Sequence, residues 1–337
     1  MLGKTAAENE VMQERLAGFG VASNVMDAAA VERRWPVLST APYAGFDYAS
    51  GEELELPPGM PEFSALHEEG CGHLDSSSCL QDMLACCERD GIEVRFNAAV
   101  ERADVVGGRV TGVSYSSTMG GAAGQSSTIA TNNVVNCLGP WFASLSSEAG
   151  VQHSTTMLPT RIQVAHRQLP DDDDRYLDLP FVASSWHGDG IYFMPRRANR
   201  QLVFGSVAHR FESEIVDPDD CNPALDPDFK QDYLNCLLHR LPQLPQRGEI
   251  IGFSSMYTVN QDDVHPVVGE AEEVQGFYVC NGFSGHGFKL APAVGSMLAQ
   301  LITGKLAPGG QYDTTAPLDF LRPQREPLVL KTKTHFA

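Results

Sequence analysis

Apolar and polar positions alternate along this chain in two textures that change near Leu158. In the first, residues 5–19 carry Ala6, Val11, Leu16 and Ala17 among polar neighbours, a helical pattern. Asp27 heads a second short helix over residues 28–34, which Trp35-Pro36 ends. Leu80, Met83, Leu84 and Cys87 recur every three or four positions between a capping Asp75 or Ser76 and Gly91, which predicts an amphipathic helix. Residues 92–96 read as a strand. Residues 99–106 and 109–116 then alternate about Gly107-Gly108, a hairpin signal. A flexible Gly/Ser loop over 120–127 leads to a strand at 128–137, which closes on Asn136-Cys-Leu-Gly-Pro-Trp141. In the second texture strands follow strands, at 160–166, 190–194 and 201–207, with a turn over 195–200. A helix over 229–241 and a strand over 250–259 complete it. Strands in succession, without βαβ alternation, predict a mainly antiparallel sheet.

The last third returns to a tighter pattern. Residues 277–280 form a short apolar run of β-formers, hence a buried strand. Gly282, Gly285 and Gly287 punctuate the turn after it, and a helix follows from about Ala291, with Pro292 in its first turn and Gly304 at its end. Ala291, Gly295 and Ala299 lie four apart, a stripe of small side chains against which close packing is expected. Strand, glycine turn and helix N-terminus together suit a ligand carrying negative charge. Glycine spacing by itself equally fits an ordinary strand-to-helix connection.

Composition narrows the function classes. A chain of 337 residues exceeds the usual single-domain size, so two closely joined domains are expected. A formal charge of −19 argues against nucleic acid or an anionic membrane as partner. The acidic runs 171–174 and 217–220 read as solvated loops. Eight cysteines without a Cys-x-x-Cys argue against zinc, and no other metal site is expected. Reduced thiols point to an intracellular compartment. Without an apolar leader or a run of about 20 apolar residues, a cytoplasmic chain with no membrane span is expected, or a mitochondrial one if a transit peptide lies upstream.

The string Asn281-Gly-Phe-Ser-Gly-His-Gly-Phe-Lys-Leu-Ala-Pro292, followed by a small-residue helix, resembles the C-terminal flavin-binding signature of the D-amino acid oxidase (DAO) superfamily. The likeness is to its sarcosine oxidase and dimethylglycine dehydrogenase side and covers roughly residues 10–325. It implies an α/β (α+β) fold, in which a Rossmann-like FAD-binding domain is interleaved with an antiparallel-sheet substrate domain. The expected division gives 70–157 and 251–305 to the FAD-binding domain and 158–250 to the substrate domain. Residues 1–69 are then a helical lead-in and 306–337 a C-terminal tail. Cofactor contacts implied by the resemblance are the turn itself, Gly282, Phe283, Ser284, Gly285, His286, Gly287, Phe288 and Lys289. Gly139 and Trp141 after the returning strand join them, and the main chain at Val100 would face the adenine. The superfamily's opening βαβ unit with Gly-x-Gly-x-x-Gly is not found in the sequence. An N-terminally incomplete Rossmann-like domain is therefore expected, the alternative being a natural short form with altered flavin binding.

The same resemblance sorts the chemistry. Lys289 corresponds to the lysine that binds substrate carboxylate in sarcosine oxidases. Met256-Tyr257 stands where the D-amino acid branch has Arg-Pro, and Ser255 where monomeric sarcosine oxidases carry the flavin-linking cysteine, so FAD is expected to be noncovalent. Residues 201–205 lack those oxidases' oxygen-activating lysine, which leaves oxygen, a carrier protein or a quinone as electron acceptor. Two readings stand for Tyr257, an active-site hydrogen bond or a half-buried core side chain. Two stand for His286 as well, a role near the flavin or a backbone hydrogen bond. Arg196 and His209, on the expected roof over the flavin, are weaker candidates. The implied activity is oxidation of a secondary or tertiary amine, such as an N-methylated amino acid, by hydride transfer to FAD. A flavin-free chain acting as a binding or assembly subunit is the competing class.

Overall fold

The computed structural model describes residues 2, 4–47, 52–56, 58–119, 124–185, 189–206, 214–304 and 317–328. His209, residues 120–123 of the Gly/Ser loop and most of the C-terminal tail lie outside them.

In chain order the elements are α1 (Ala6–Gly18), β1 (Ser23–Met26), α2 (Ala28–Arg34), β2 (Phe46–Asp47), β3 (Glu52–Glu53) and β4 (Ala65–Glu68). Then come α3 (Ser76–Arg89), β5 (Ala98–Val106), β6 (Arg109–Ser117), β7 (Ser126–Ala130), β8 (Val134–Asn136) and α4 (Phe142–Ala149). They are followed by β9 (Met157–Gln168), β10 (Val182–Ser184), β11 (Ile191–Arg196), β12 (Gln201–Ser206) and α5 (Pro227–Arg240). The last are β13 (Ile250–Asn260), β14 (Val267–Glu270), β15 (Phe277–Asn281) and α6 (Gly287–Thr303).

The chain forms two compact units, which it enters more than once. The first comprises Met1–Leu74, Arg161–Glu214 and Cys221–Ser255. Its sheet has the order β10-β11-β12-β9-β13, and the described pairings within it are antiparallel. Strict alternation along β11 turns Ile191 and Phe193 inward, where they meet Leu202 and Phe204 of β12 and Phe229, Tyr233 and Leu237 of α5 in one core. A fully buried ion pair sits in the same unit. Arg240 Nε lies 2.7 Å from Asp189 Oδ2, and the guanidinium also donates to the Ser39 and Ala41 carbonyls. α1 departs from its apolar pattern. It buries only Asn9, whose amide donates to Ser64 Oγ at 2.9 Å, while Val11 is exposed.

The second unit comprises Asp75–Thr160, Ile215–Asp220 and Met256–Ala337. The hairpin β5–β6 turns at Gly107-Gly108, both at positive φ as a two-residue hairpin turn requires, and β7 adds to β6. The strand expected at 128–137 is thus two strands. β7 belongs to the hairpin sheet, and after a break at residues 131–133 β8 pairs in parallel with β15, which pairs antiparallel with β14. Each face of β15 has its own cluster. Phe277 and Val279 pack with Phe142 and Leu145 of α4, and Tyr278 packs with Val294, Met297 and Leu298 of α6.

α3 forms with Asp75 as its cap, the carboxylate accepting from Ser78 N, yet none of its residues is buried. Leu80 is 67% and Met83 59% exposed. The strand expected at 92–96 is absent, and Phe96 is 68% exposed. A strand needs a ladder partner, and among the described residues nothing pairs with this segment. α6 begins at Gly287, a turn earlier than expected, which places Pro292 inside the helix. The stripe Ala291, Gly295 and Ala299 is exposed, and a Cβ at Gly295 would meet nothing within 4 Å, so the expected close packing is not made by the described residues.

Candidate active site

The turn between β15 and α6 is held from three sides within the second unit. Ser284 N donates to Thr258 O at 3.0 Å, and Ser284 Oγ accepts from Asn260 N at 3.0 Å, so β13 grips the turn at its middle. His286 N donates to Phe283 O at 2.8 Å, which closes it. Asn281 serves both ends: its Oδ1 accepts from Gly282 N at 2.8 Å, and its Nδ2 donates to the Gly139 carbonyl at 2.7 Å. The loop after β8 and the loop after β15 are thereby tied together.

Gly282, Ser284 and Gly285 all have positive φ, at 74°, 48° and 84°. Gly282 has a second reason to be glycine, since a Cβ there would lie 2.7 Å from Met157 Sδ. At Gly285 a Cβ would stand 3.5 Å from the Tyr257 ring, so this half-buried tyrosine lies beside the turn. Gly285 itself is exposed. α6 starts directly behind it, with His286 at the N-cap making no side-chain capping bond and with no acidic residue in the first turn. The first N–H groups of such a helix have no partner within the helix.

The predicted residues fall into three groups. Gly282, Phe283, Ser284, Gly285, His286, Gly287, Phe288 and Lys289 are contiguous in the turn and first turn of α6, with His286 buried and Phe288 and Lys289 exposed. Gly139 is joined to them through Asn281, and a Cβ on Gly139 would meet open space. Trp141 is exposed and donates from Nε1 to Asp219 at 2.8 Å, while Val100 lies in the separate hairpin sheet, opposite Tyr115. Sequence reasoning missed Asn281 and Ser284 as the residues that hold the turn. Asn281 closes the apolar run 277–280, and an amide at the end of a buried strand needs partners.

An uncapped helix start, an exposed glycine and open space beside Gly139 fit an electron-rich, flat group of the flavin-ring kind. Among the described residues no strand is followed by Gly-x-Gly-x-x-Gly. Among them no group of three or more metal-ligating side chains occurs, and no described helix is long and apolar enough to cross a membrane.

The architecture is mixed α/β, with a parallel β8–β15 pair feeding the glycine turn and the helix behind it. The chain belongs to the DAO family of FAD dependent oxidoreductases, whose profile matches residues 5–301. It is 31% identical over 183 residues to FAD-dependent oxidoreductase domain-containing protein 1 of Bos taurus, covering 50% of this chain and 35% of that protein. It is 28% identical over 271 residues to monomeric sarcosine oxidase of Bacillus sp. (strain B-0618), covering 77% of this chain and 64% of the oxidase. The chain thus spans about a third of the length of the bovine relative. Among solved structures, L-proline dehydrogenase from P. horikoshii superposes with a TM-score of 0.70 at 19% identity, covering 96% of this chain and 75% of that one.

Proposed function

We propose that this chain serves an FAD-dependent oxidation of a secondary or tertiary amine bearing a carboxylate, such as an N-methylated amino acid. Bound FAD would supply the two-electron acceptor. The chain's own residues would do the placing. The turn 282–287 and the first N–H groups of α6 would face the electron-rich edge of the ring, held rigid by Asn281 and Ser284. Lys289 would bind the substrate carboxylate and so aim the amine carbon. Tyr257, beside Gly285, would line the same space. The resulting imine is hydrolysed by water. With Ser255 where the sarcosine oxidase branch carries cysteine, FAD is held noncovalently, because a serine hydroxyl is a far poorer nucleophile than a thiolate. Acid precipitation of flavin-loaded protein should leave all the flavin in the supernatant, and a yellow pellet would contradict this part of the reading.

The observation that carries the proposal is Lys289. It is an exposed cation in the first turn of α6 with no ion pair among the described residues. A positive charge there is disfavoured by the helix dipole unless an anion joins it. Its curated relative in Bacillus is named for sarcosine, an N-methylated amino acid. In flavin-loaded protein, Lys289→Ala should raise KM for a carboxylate-bearing amine by roughly ten- to a hundredfold, the worth of about 1.5–3 kcal/mol for a hydrogen bond to a charged group. An uncharged amine analogue should be little affected. Equal effects on both would assign Lys289 to the flavin or the fold instead.

The bare apolar face of α3 favours a second reading, a flavin-free binding or assembly subunit. Absorbance of the purified protein in the flavin region separates the two.

A further inference from the structure

β8 and β15 run parallel in the register Val134–Phe277, Val135–Tyr278 and Asn136–Val279. One step on, Cys137 stands opposite Cys280. Alternation turns both side chains away from the cluster that holds Phe277 and Val279 and towards the α6 side, where Val135, Tyr278 and Cys280 pack with Phe283 and Leu290. There the two side chains are neighbours across the strand pair. Opposed residues of neighbouring strands lie about 4.8 Å apart, inside the roughly 4.4–6.8 Å that separates the Cα atoms of bridged cysteines. Cys137 is exposed and Cys280 half-buried, so a reagent meets Cys137 first.

We propose that Cys137 and Cys280 are a redox-active dithiol, which a small-molecule disulfide oxidises to a cross-strand disulfide. The Cys137 thiolate attacks one sulfur of the oxidant R–S–S–R, forming a mixed disulfide and expelling RS⁻. Cys280 then gives up its proton and attacks Cys137 Sγ, expelling a second RS⁻. Two electrons pass to the oxidant, which leaves as two thiols once the released protons are taken up. The neighbouring Cys280 side chain holds the Cys137 thiol below its ordinary pKa, against the opposing effect of burial. Cys137 in turn, together with burial, pushes Cys280 upward. Attacker and resolving thiol are therefore distinguished.

The place of the bond gives it a consequence. Cys137 is two residues before Gly139 and Cys280 two before Gly282, the glycines whose loops Asn281 already ties. Oxidation would pin the roots of both loops.

The test needs only the intact chain. It is equilibrated with oxidised and reduced glutathione at graded ratios, acid-quenched and mapped by mass spectrometry without reduction. The expected result is one linked peptide pair joining Cys137 to Cys280, titrating as a two-electron couple with a tenfold change in equilibrium constant per roughly 30 mV. Before oxidation, iodoacetamide should label Cys137 roughly tenfold faster near pH 7 than the exposed Cys71 and Cys86. Cys280→Ala should trap Cys137 as its glutathione adduct and slow its labelling. Cys137 remaining an unresolved adduct in the native sequence, or both thiols staying alkylatable in excess oxidised glutathione, would overturn the proposal.

Discussion

His153 shows how a single side chain couples this fold to pH. Its ring lies edge-on to Phe142, centroids 5.1 Å apart, and neither ring nitrogen has a hydrogen-bond partner among the described residues. Burial lowers its pKa, opposed by the attraction of Glu273. Above the unfolded pKa of about 6.5 the ring is neutral in both states and contributes no pH dependence. Below that value the unfolded chain takes up a proton that the folded chain resists, so stability falls as the pH falls, until the lowered folded pKa is passed. His67 and His166 are lowered chiefly by burial and carry the same sign. Urea midpoints should therefore drop between about pH 7.5 and about pH 5.5, and His153→Phe should drop less than the native sequence. An unchanged slope would mean that the folded protein admits the proton. This residue was invisible in the sequence, because nothing in the run Val151-Gln-His-Ser marks a histidine turned towards a core. The motif residues 282–289 were legible because chemistry and backbone coincide there. Positive φ at 282 and 285 demands the glycines that also give the string its specificity.

At the level of elements, local signals held wherever a cap or a turn residue declared them. Asp27 and Asp75 accept from Ala30 N and Ser78 N, and each opens its helix where expected. Gly107-Gly108 turns its hairpin, and Gly304 ends α6 in the left-handed conformation. Errors came where the answer depended on a partner distant in sequence. One apolar run, 128–137, serves two sheets, because β7 finds β6 and β8 finds β15. Periodicity records that a strand is half-buried and not which neighbour buries it. Pro292 misplaced the start of α6 for a related reason. A proline signals an early helix position because it lacks an N–H, yet its would-be acceptor, Phe288 O, lies in the first turn of α6.

The whole molecule is wound so that neither unit is a continuous piece of chain. β9 and β13 each begin in one unit and end in the other, with crossings at Thr160–Arg161 and Ser255–Met256. The first crossing lies close to the change of texture near Leu158. One short excursion left no trace in the texture. Residues 215–220 leave the first unit for the second, anchored where Val216 N donates to Pro159 O and Asp219 accepts from Trp141 Nε1. A run of acidic residues reads as solvent-facing, and only the fold shows it meeting an indole.

The uncovered side of α3 has a consequence in solution. Leu80 and Met83, with Phe96 beyond the helix, present to water what is ordinarily a solute for oil. The protein should then behave as a mild detergent sink. A dye such as anilinonaphthalene sulfonate should brighten and shift to the blue on mixing with the native chain, before any denaturant is added. Leu80→Gln with Met83→Gln should dim that emission and lower light scattering at high concentration. Because both side chains already face solvent, the double substitution should leave the unfolding free energy within the range of about ±0.5 kcal/mol typical of surface changes. Undiminished dye fluorescence in the double variant would move the adhesive surface elsewhere on the chain.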